Sequence, residues 1–251
     1  MNSILVIIPA YNEQENILKV IQELKKDVPY ADVLVVNDCS KDNTLKILED
    51  NNINHISTPF NLGYAGVVQI GFKYAEQHNY DYVAQFDGDG QHIARELDKM
   101  FKYVQDKNID IIMGSRFKEA IEYKHSFFRK IGTSIFQKII RWSCGQEITD
   151  PTSGMQILNQ RVYHKYAKMY NYPDYPDANL IMEMLIEGYK IEEISVKMRE
   201  RVAGVSMHAG IWQPLKYMIK MFYSIGLIVV KYKLIRGERG LVMEGGNTID
   251  Q

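Results

Sequence analysis

The sequence predicts an α/β fold, a mainly parallel sheet flanked by helices, with an amphipathic helix near the C-terminus. Three observations predict it. Short apolar runs alternate with amphipathic segments through the first half of the chain. Two of those runs lead directly into an acid, Asp38 and Asp87, and in open parallel sheets ligands bind beyond the carboxyl ends of the strands. The composition, 46% hydrophobic and 24% charged over 251 residues, belongs to a globular chain of one large or two small domains.

The elements follow in order. ILVIIP (4–9) is a continuous apolar run ended by Pro9, a buried strand. Within 12–27, Ile17, Leu18, Ile21 and Leu24 recur at helical spacing. DVLVVN (32–37) is a second buried strand, and SKDNTLKILEDN after it a short helix capped by Ser40 or Asp42. INHIS (53–57) is a third strand and 63–79 a helix. DYVAQFD (81–87) is a fourth strand, 93–107 a helix and DIIMGSR (110–116) a fifth strand. The second half is less regular. A basic amphipathic helix spans 127–145, and a polar turn enters a strand over 147–159. A helix over 176–189 has Asp177 near its cap and Gly188 near its end. Residues 190–198 read as a strand and 199–210 as a loop. The division expected is a domain over 1–210, a helix over 211–236 and a mobile tail over 237–251.

Charge and cysteines narrow the function. A net charge of −1 gives no general affinity for nucleic acid. Cys39 and Cys144 form neither a disulfide framework nor a metal knuckle, which fits a reducing cytosol. The apolar N-terminal run lacks a basic flank and reads as a strand rather than a leader. No stretch reaches the ~18 apolar residues of a membrane span. In 211–236, Lys216, Lys220, Lys231, Lys233 and Arg236 bracket an apolar centre interleaved with Trp212, Tyr217, Phe222, Tyr223 and Tyr232. That pattern fits a helix lying on an anionic leaflet, peripheral on the cytoplasmic face of a membrane. A contact in a homo-oligomer, or packing on its own domain, is the alternative.

The stretch VAQFDGDGQH (83–92) concentrates chemistry. Asp87, Asp89 and Gln91 alternate with Gly88 and Gly90. In extended backbone, side chains two apart share one side, and glycine admits a close ligand. Hard oxygen donors so placed suit Mg2+ or Mn2+. The plain alternative is a polar turn after a strand.

Seven segments occur in one order: VIIPAYNEQENI, VVNDCSKDNT, NLGYAGVVQIGF, FDGDGQH, GSRF, TDPTSGMQIL and RVAGVSMH. From about residue 3 to 208 the set resembles the inverting family 2 glycosyltransferases of GT-A fold. It is most similar to the dolichyl-phosphate mannose synthase-like branch and to bacterial envelope-polysaccharide transferases. The resemblance implies metal-dependent transfer of a sugar from a nucleotide-diphosphate sugar. The acceptor would be a lipid-linked glycan or a polyprenyl phosphate, in envelope polysaccharide or glycolipid synthesis. It implies that Pro9, Ala10, Tyr11 and Glu13 line the base and ribose, and that Asp38 accepts from the base. Asn61, Gly63 and Gly66 would let the nucleotide lie close to backbone. Asp87, also at the nucleotide, would hold with Asp89 and Gln91 a Mn2+ or Mg2+ ion bridging the diphosphate. Arg116, Arg201 and Ser206 would contact phosphate or acceptor, Arg201 at the reaction centre.

The chain departs from the pattern in places. Asn37 stands where a second acid is frequent, Ile93 where proline is common, and Met207 where polyprenyl-phosphate enzymes carry lysine. A hydroxyl acceptor would need a general base. Asp150 and Asp177 are the two carboxylates in reach of that role, and a helix start is expected to lower the Asp177 pKa. Two rival readings are a sugar nucleotidyltransferase and a catalytically silent nucleotide-sugar-binding subunit. The first lacks its glycine-rich, lysine-bearing loop here. The second is disfavoured by the intact D-x-D-x-Q.

Overall fold

The computed structural model describes residues 2–105, 107–118, 127–199 and 212–244. Its central strand is β1 (Ile4–Ala10). Leu5 and Ile7 point into one core and Ile4, Val6 and Ile8 into another on the opposite face. A strand covered on both sides needs no polar alternation, which is why this run reads as uniformly apolar. Parallel neighbours are β2 (Asp32–Asn37) and β4 (Tyr82–Gln85). The remaining strands are β3 (His55–Ser57), β5 (Ile111–Ser115), β6 (Gln156–Asn159) and β7 (Ile191–Ser195), in the sheet order β3-β2-β1-β4-β6-β5-β7.

Helices α1 (Ile17–Asp27) and α4 (Ala94–Gln105) cover one face, burying Ile17, Ile21, Leu24, Leu97, Met100 and Phe101. The other face carries α3 (Gly63–Gln77), α5 (Phe127–Cys144), α6 (Gln160–Lys168), α7 (Ala178–Ile186) and α8 (Trp212–Glu244). The short helix α2 is Thr44–Asp50. Neither Ser40 nor Asp42 occupies its cap position, which falls to Asn43; Asp42 instead accepts the Thr44 N–H at 2.9 Å. No helix was expected at α6. Asn159 caps it by accepting the Val162 N–H at 3.1 Å, and Val162, Tyr163, Tyr166 and Ala167 face the core.

The sheet is mainly parallel, with β6 the exception. It runs antiparallel to both β4 and β5, with Gln156 opposite Gln85 and Met113. This reversal matters for function. It starts β6 at the carboxyl ends of β4 and β5, so residues 150–154 cross the same edge that carries Asp87.

The helix expected over 211–236 runs on to Glu244, so 237–244, read as the start of a tail, are helical. Residues 245–251 lie outside the described residues. Nor is α8 an appendage. Met221, Ile225 and Ile228 are buried in the core beside α7. Asn179 Nδ2 donates to Ser224 Oγ at 2.9 Å, and Lys231 Nζ pairs with Glu183 at 2.7 Å. Its opposite face leaves Ile219, Phe222, Tyr223, Leu227 and Val230 exposed. The helix is therefore apolar on two faces, where the sequence suggested one.

Candidate active site

The 87–91 segment is a turn, not the extended backbone expected from its spacing. Asp89, 7% exposed, accepts the Gln91 N–H at 3.0 Å on Oδ1. Gly90 supplies the left-handed dihedral, φ +79°, that closes the turn. The Asp87 amide donates to His92 Nδ1 at 3.0 Å, which places the imidazole hydrogen on Nε2, 3.5 Å from Asp87 Oδ2. His92 is buried edge-on against Phe86, with ring centroids 5.1 Å apart. It is a positioning residue that sequence reasoning passed over. Its only signal was its place as the last letter of FDGDGQH. Gly154 arrives with the reversed β6: a Cβ there would lie 3.3 Å from Asp87 Oδ2.

Asp87, Asp89 and Asp177 act on one phenol. Tyr64 on α3 has its pKa pushed well above the ordinary value, by burial first and then by these carboxylates. Tyr64 was not singled out from sequence. Asp177 occupies the cap position of α7 without making a cap bond. Asn179 Oδ1 accepts the Leu180 N–H at 2.9 Å instead, while Asp177 Oδ2 accepts from Tyr217 on α8 at 3.0 Å. Burial pushes Asp177 up to about 6, although Tyr217 and Arg116 pull it down; Asp150 and Asp87 push it further up. The sequence expectation of a lowered value is corrected: the side chain serves α8 rather than its own helix end, and burial outweighs the helix field.

Asp150 is completely buried. It takes Arg116 Nε at 2.7 Å and Nη2 at 2.8 Å, and the Arg116 amide at 3.1 Å. Both of its oxygens are thereby committed to the Arg116 fork. It anchors Arg116 beside Asp177, and Glu193 holds it in turn by accepting the Asp150 and Thr149 amides.

At the carboxyl ends of β1 and β2, Asp38 is 3% exposed and accepts from Leu62 N at 2.7 Å, Gly63 N at 2.9 Å and Thr58 Oγ1 at 3.2 Å. Its carboxylate shapes the 58–63 segment and faces the start of α3, a favourable place for negative charge. Asn61 Nδ2 donates to the Asp38 carbonyl at 3.3 Å. Gly63, at φ +77°, opens α3, and Gly66 lies one turn further on. Pro9 and Ala10 close β1; Tyr11 beyond them is exposed. The Glu13 amide donates to Thr44 Oγ1 at 2.8 Å, tying the β1 and β2 loops together. Arg201 and Ser206 lie outside the described residues.

Two carboxylates and an amide on one turn fit Mg2+ or Mn2+, which typically takes one or two protein carboxylates and completes its shell from substrate phosphates. Among the described residues, no group of three or more His, Cys, Asp or Glu could hold a metal ion.

A mainly parallel sheet carrying these acids at its carboxyl edge, faced by a buried carboxylate–guanidinium pair, belongs here to a glycosyltransferase. The family model described as Glycosyl transferase family 2 matches residues 5–167, and the chain belongs to that family. An undecaprenyl-phosphate mannosyltransferase of Micrococcus luteus is 32% identical over 226 residues, 82% of this chain and 88% of that protein. A polyprenol monophosphomannose synthase of Mycolicibacterium smegmatis is 26% identical over 219 residues, 82% of this chain and 81% of that protein. The GT-A fold is shared with glucosyl-3-phosphoglycerate synthase of Mycobacterium tuberculosis, solved with Mn2+, UDP and glucosyl-3-phosphoglycerate. The TM-score is 0.66 at 15% identity, over 90% of this chain and 80% of that one.

Proposed function

We propose that this glycosyltransferase moves a sugar from a nucleoside-diphosphate sugar to a polyprenyl phosphate, with inversion and with a divalent ion. The observation that carries the reading is the turn of Asp87, Asp89 and Gln91 at the end of β4, facing Arg116 and Asp177. The relatives from Micrococcus luteus and Mycolicibacterium smegmatis, named for polyprenyl acceptors, support the choice of acceptor. Pro9, Ala10, Tyr11, Glu13, Asn61, Gly63 and Gly66 would line the nucleoside, with Asp38 shaping that wall. Asp87, Asp89 and Gln91 would hold Mn2+ or Mg2+, which supplies Lewis-acid stabilisation of the leaving diphosphate. Arg116, with Arg201 and Ser206, would hold the acceptor phosphate. One acceptor oxygen bonds to the anomeric carbon as the carbon–oxygen bond to the diphosphate breaks, so a single in-line displacement inverts the centre.

A hydroxyl of a lipid-linked glycan is the second reading, favoured by one observation: Asp177, raised to about 6, suits a general base. Asp177→Asn separates the two. A phosphate is already ionised, so turnover should fall less than about tenfold and the acidic limb of kcat/KM should persist. A hydroxyl acceptor would make turnover rise with pH through about 6, as Asp177 ionises, and the Asn variant would lose roughly 10²–10⁴-fold together with that limb. The sign for stability is opposite. The folded pKa lies above that of the unfolded chain, so ionising Asp177 opposes folding. The Asn variant should therefore melt higher than wild type above pH 6 and gain nothing below pH 4.

The exposed face of α8 would seat the enzyme on the cytoplasmic surface of an anionic membrane. No helix among the described residues is long and apolar enough to cross one. Lys216, Lys220 and Lys231 flank the Ile219, Phe222, Tyr223, Leu227 and Val230 stripe. Deleting α8 would open the core, so point changes are the proper probe. Tyr223→Glu with Leu227→Glu should lower sedimentation with anionic vesicles by at least tenfold and leave donor binding and oligomeric mass unchanged. Unchanged sedimentation with a fall in mass would assign the face to a homo-oligomer.

A further inference from the structure

Glu23 on α1 lies outside the constellation above, yet both its oxygens are engaged. Arg199 Nη1 donates to Oε2 at 2.7 Å and Nη2 to Oε1 at 3.0 Å, a two-pronged pair. The amide of Ala94, the first residue of α4, donates to Oε1 at 3.1 Å. Arg199 in turn is clamped to the turn that follows β4. Its amide donates to the Gln91 carbonyl at 2.8 Å, and Gln91 Nε2 donates back to the Arg199 carbonyl at 3.4 Å. Beside them His92 and Met198 form an antiparallel bridge, and His92 receives the Asp87 amide. One carboxylate thus fastens α1, the start of α4 and residues 198–199 around Gln91 and His92.

We infer that Glu23 and Arg199 are positioning residues for the divalent-ion site, acting through the Gln91 amide and the His92 ring. The inference rests on the proposed reading of the 87–91 turn as metal-binding. The geometry separates it from an ordinary surface ion pair. Arg199 is 45% exposed and Glu23 24%, and such pairs contribute little to global stability. What this pair controls is the orientation of a ligand amide, and outer partners of that kind typically change metal affinity by about 10–100-fold.

The test is binding of Mn2+ alone, read by electron paramagnetic resonance of the free ion, with thermal unfolding measured beside it. Glu23→Ala and Arg199→Ala should each weaken Mn2+ binding about tenfold or more while the unfolding midpoint moves by only a few degrees. Glu23→Gln keeps an acceptor for the Ala94 amide and removes only the charge on the Arg199 arm, so it should still weaken the ion. Asp50→Asn breaks the Lys46–Asp50 ion pair at 2.7 Å, which lies wholly within α2, and should bind Mn2+ like wild type. Affinity within twofold of wild type in both the Ala and Gln variants of Glu23 would overturn the inference. A wild-type chain that takes up no Mn2+ would overturn the metal reading itself, and this inference with it.

Discussion

Asp89→Asn is expected to reduce sugar transfer by about 10³-fold or more, with folding intact. The side chain stays the same shape, and its amide oxygen can still accept the Gln91 N–H that Asp89 accepts at 3.0 Å. What disappears is one of two charges on the 87–91 turn. Removing a single group that stabilises developing charge typically costs about 10²–10³-fold, and here loss of the ion itself would compound it. The unfolding midpoint should stay equal to wild type, because the Asn side chain keeps the turn's hydrogen bond. Steady-state transfer and thermal unfolding on the same preparation check both halves. An Asn variant that transfers sugar within tenfold of wild type would remove Asp89 from the site.

Arg116→Ala should be the most destabilising single change in the site, by about 3–5 kcal/mol, because it strands a buried carboxylate. Asp150 is 0% exposed and Arg116 12%. The backbone amide at 116 and the Thr152 hydroxyl would remain as donors to Asp150, but neither carries charge. Arg116→Lys keeps the charge without the fork and should recover only part of the loss. Pairing Arg116→Ala with Asp150→Asn removes the stranded charge, so the double variant should be more stable than Arg116→Ala alone. Denaturant unfolding of the three variants reads this directly. A cost below 1 kcal/mol for Arg116→Ala would contradict the picture of a buried, charge-bearing clamp.

What the sequence revealed and what it hid divide along one line. Strand β1, the strand ends at Asp38 and Asp87, and the D-x-D-x-Q spacing are local patterns, visible because their causes lie within a few residues. The direction of β6 was hidden, since QILN is four residues long and carries no mark of which neighbour it will meet. The pairing of Arg116 with Asp150 spans 34 positions and needs that reversal to occur. Asp177 looked like an ordinary helix cap from its surroundings. Its burial and its bond to Tyr217 come from a helix 40 positions away, and that distant contact is what set its chemistry apart from the local expectation. Helix α6 left a fainter signal that could have been found: Asn159 before Val162, Tyr163, Tyr166 and Ala167 is a cap followed by helical spacing.

The central claim, metal-dependent inverting transfer to a polyprenyl phosphate, is tested most directly by the structure of the product. The wild-type chain would be incubated with a panel of nucleoside-diphosphate sugars and a polyprenyl phosphate in anionic vesicles, with Mg2+ or with EDTA. The product would be weighed by mass spectrometry and its anomeric centre assigned by NMR. The expected product is one sugar joined through a phosphodiester to the lipid, its anomeric configuration inverted from the donor, with no product in EDTA. A retained configuration, undiminished product in EDTA, or transfer only to a glycan hydroxyl across the whole panel would contradict that claim.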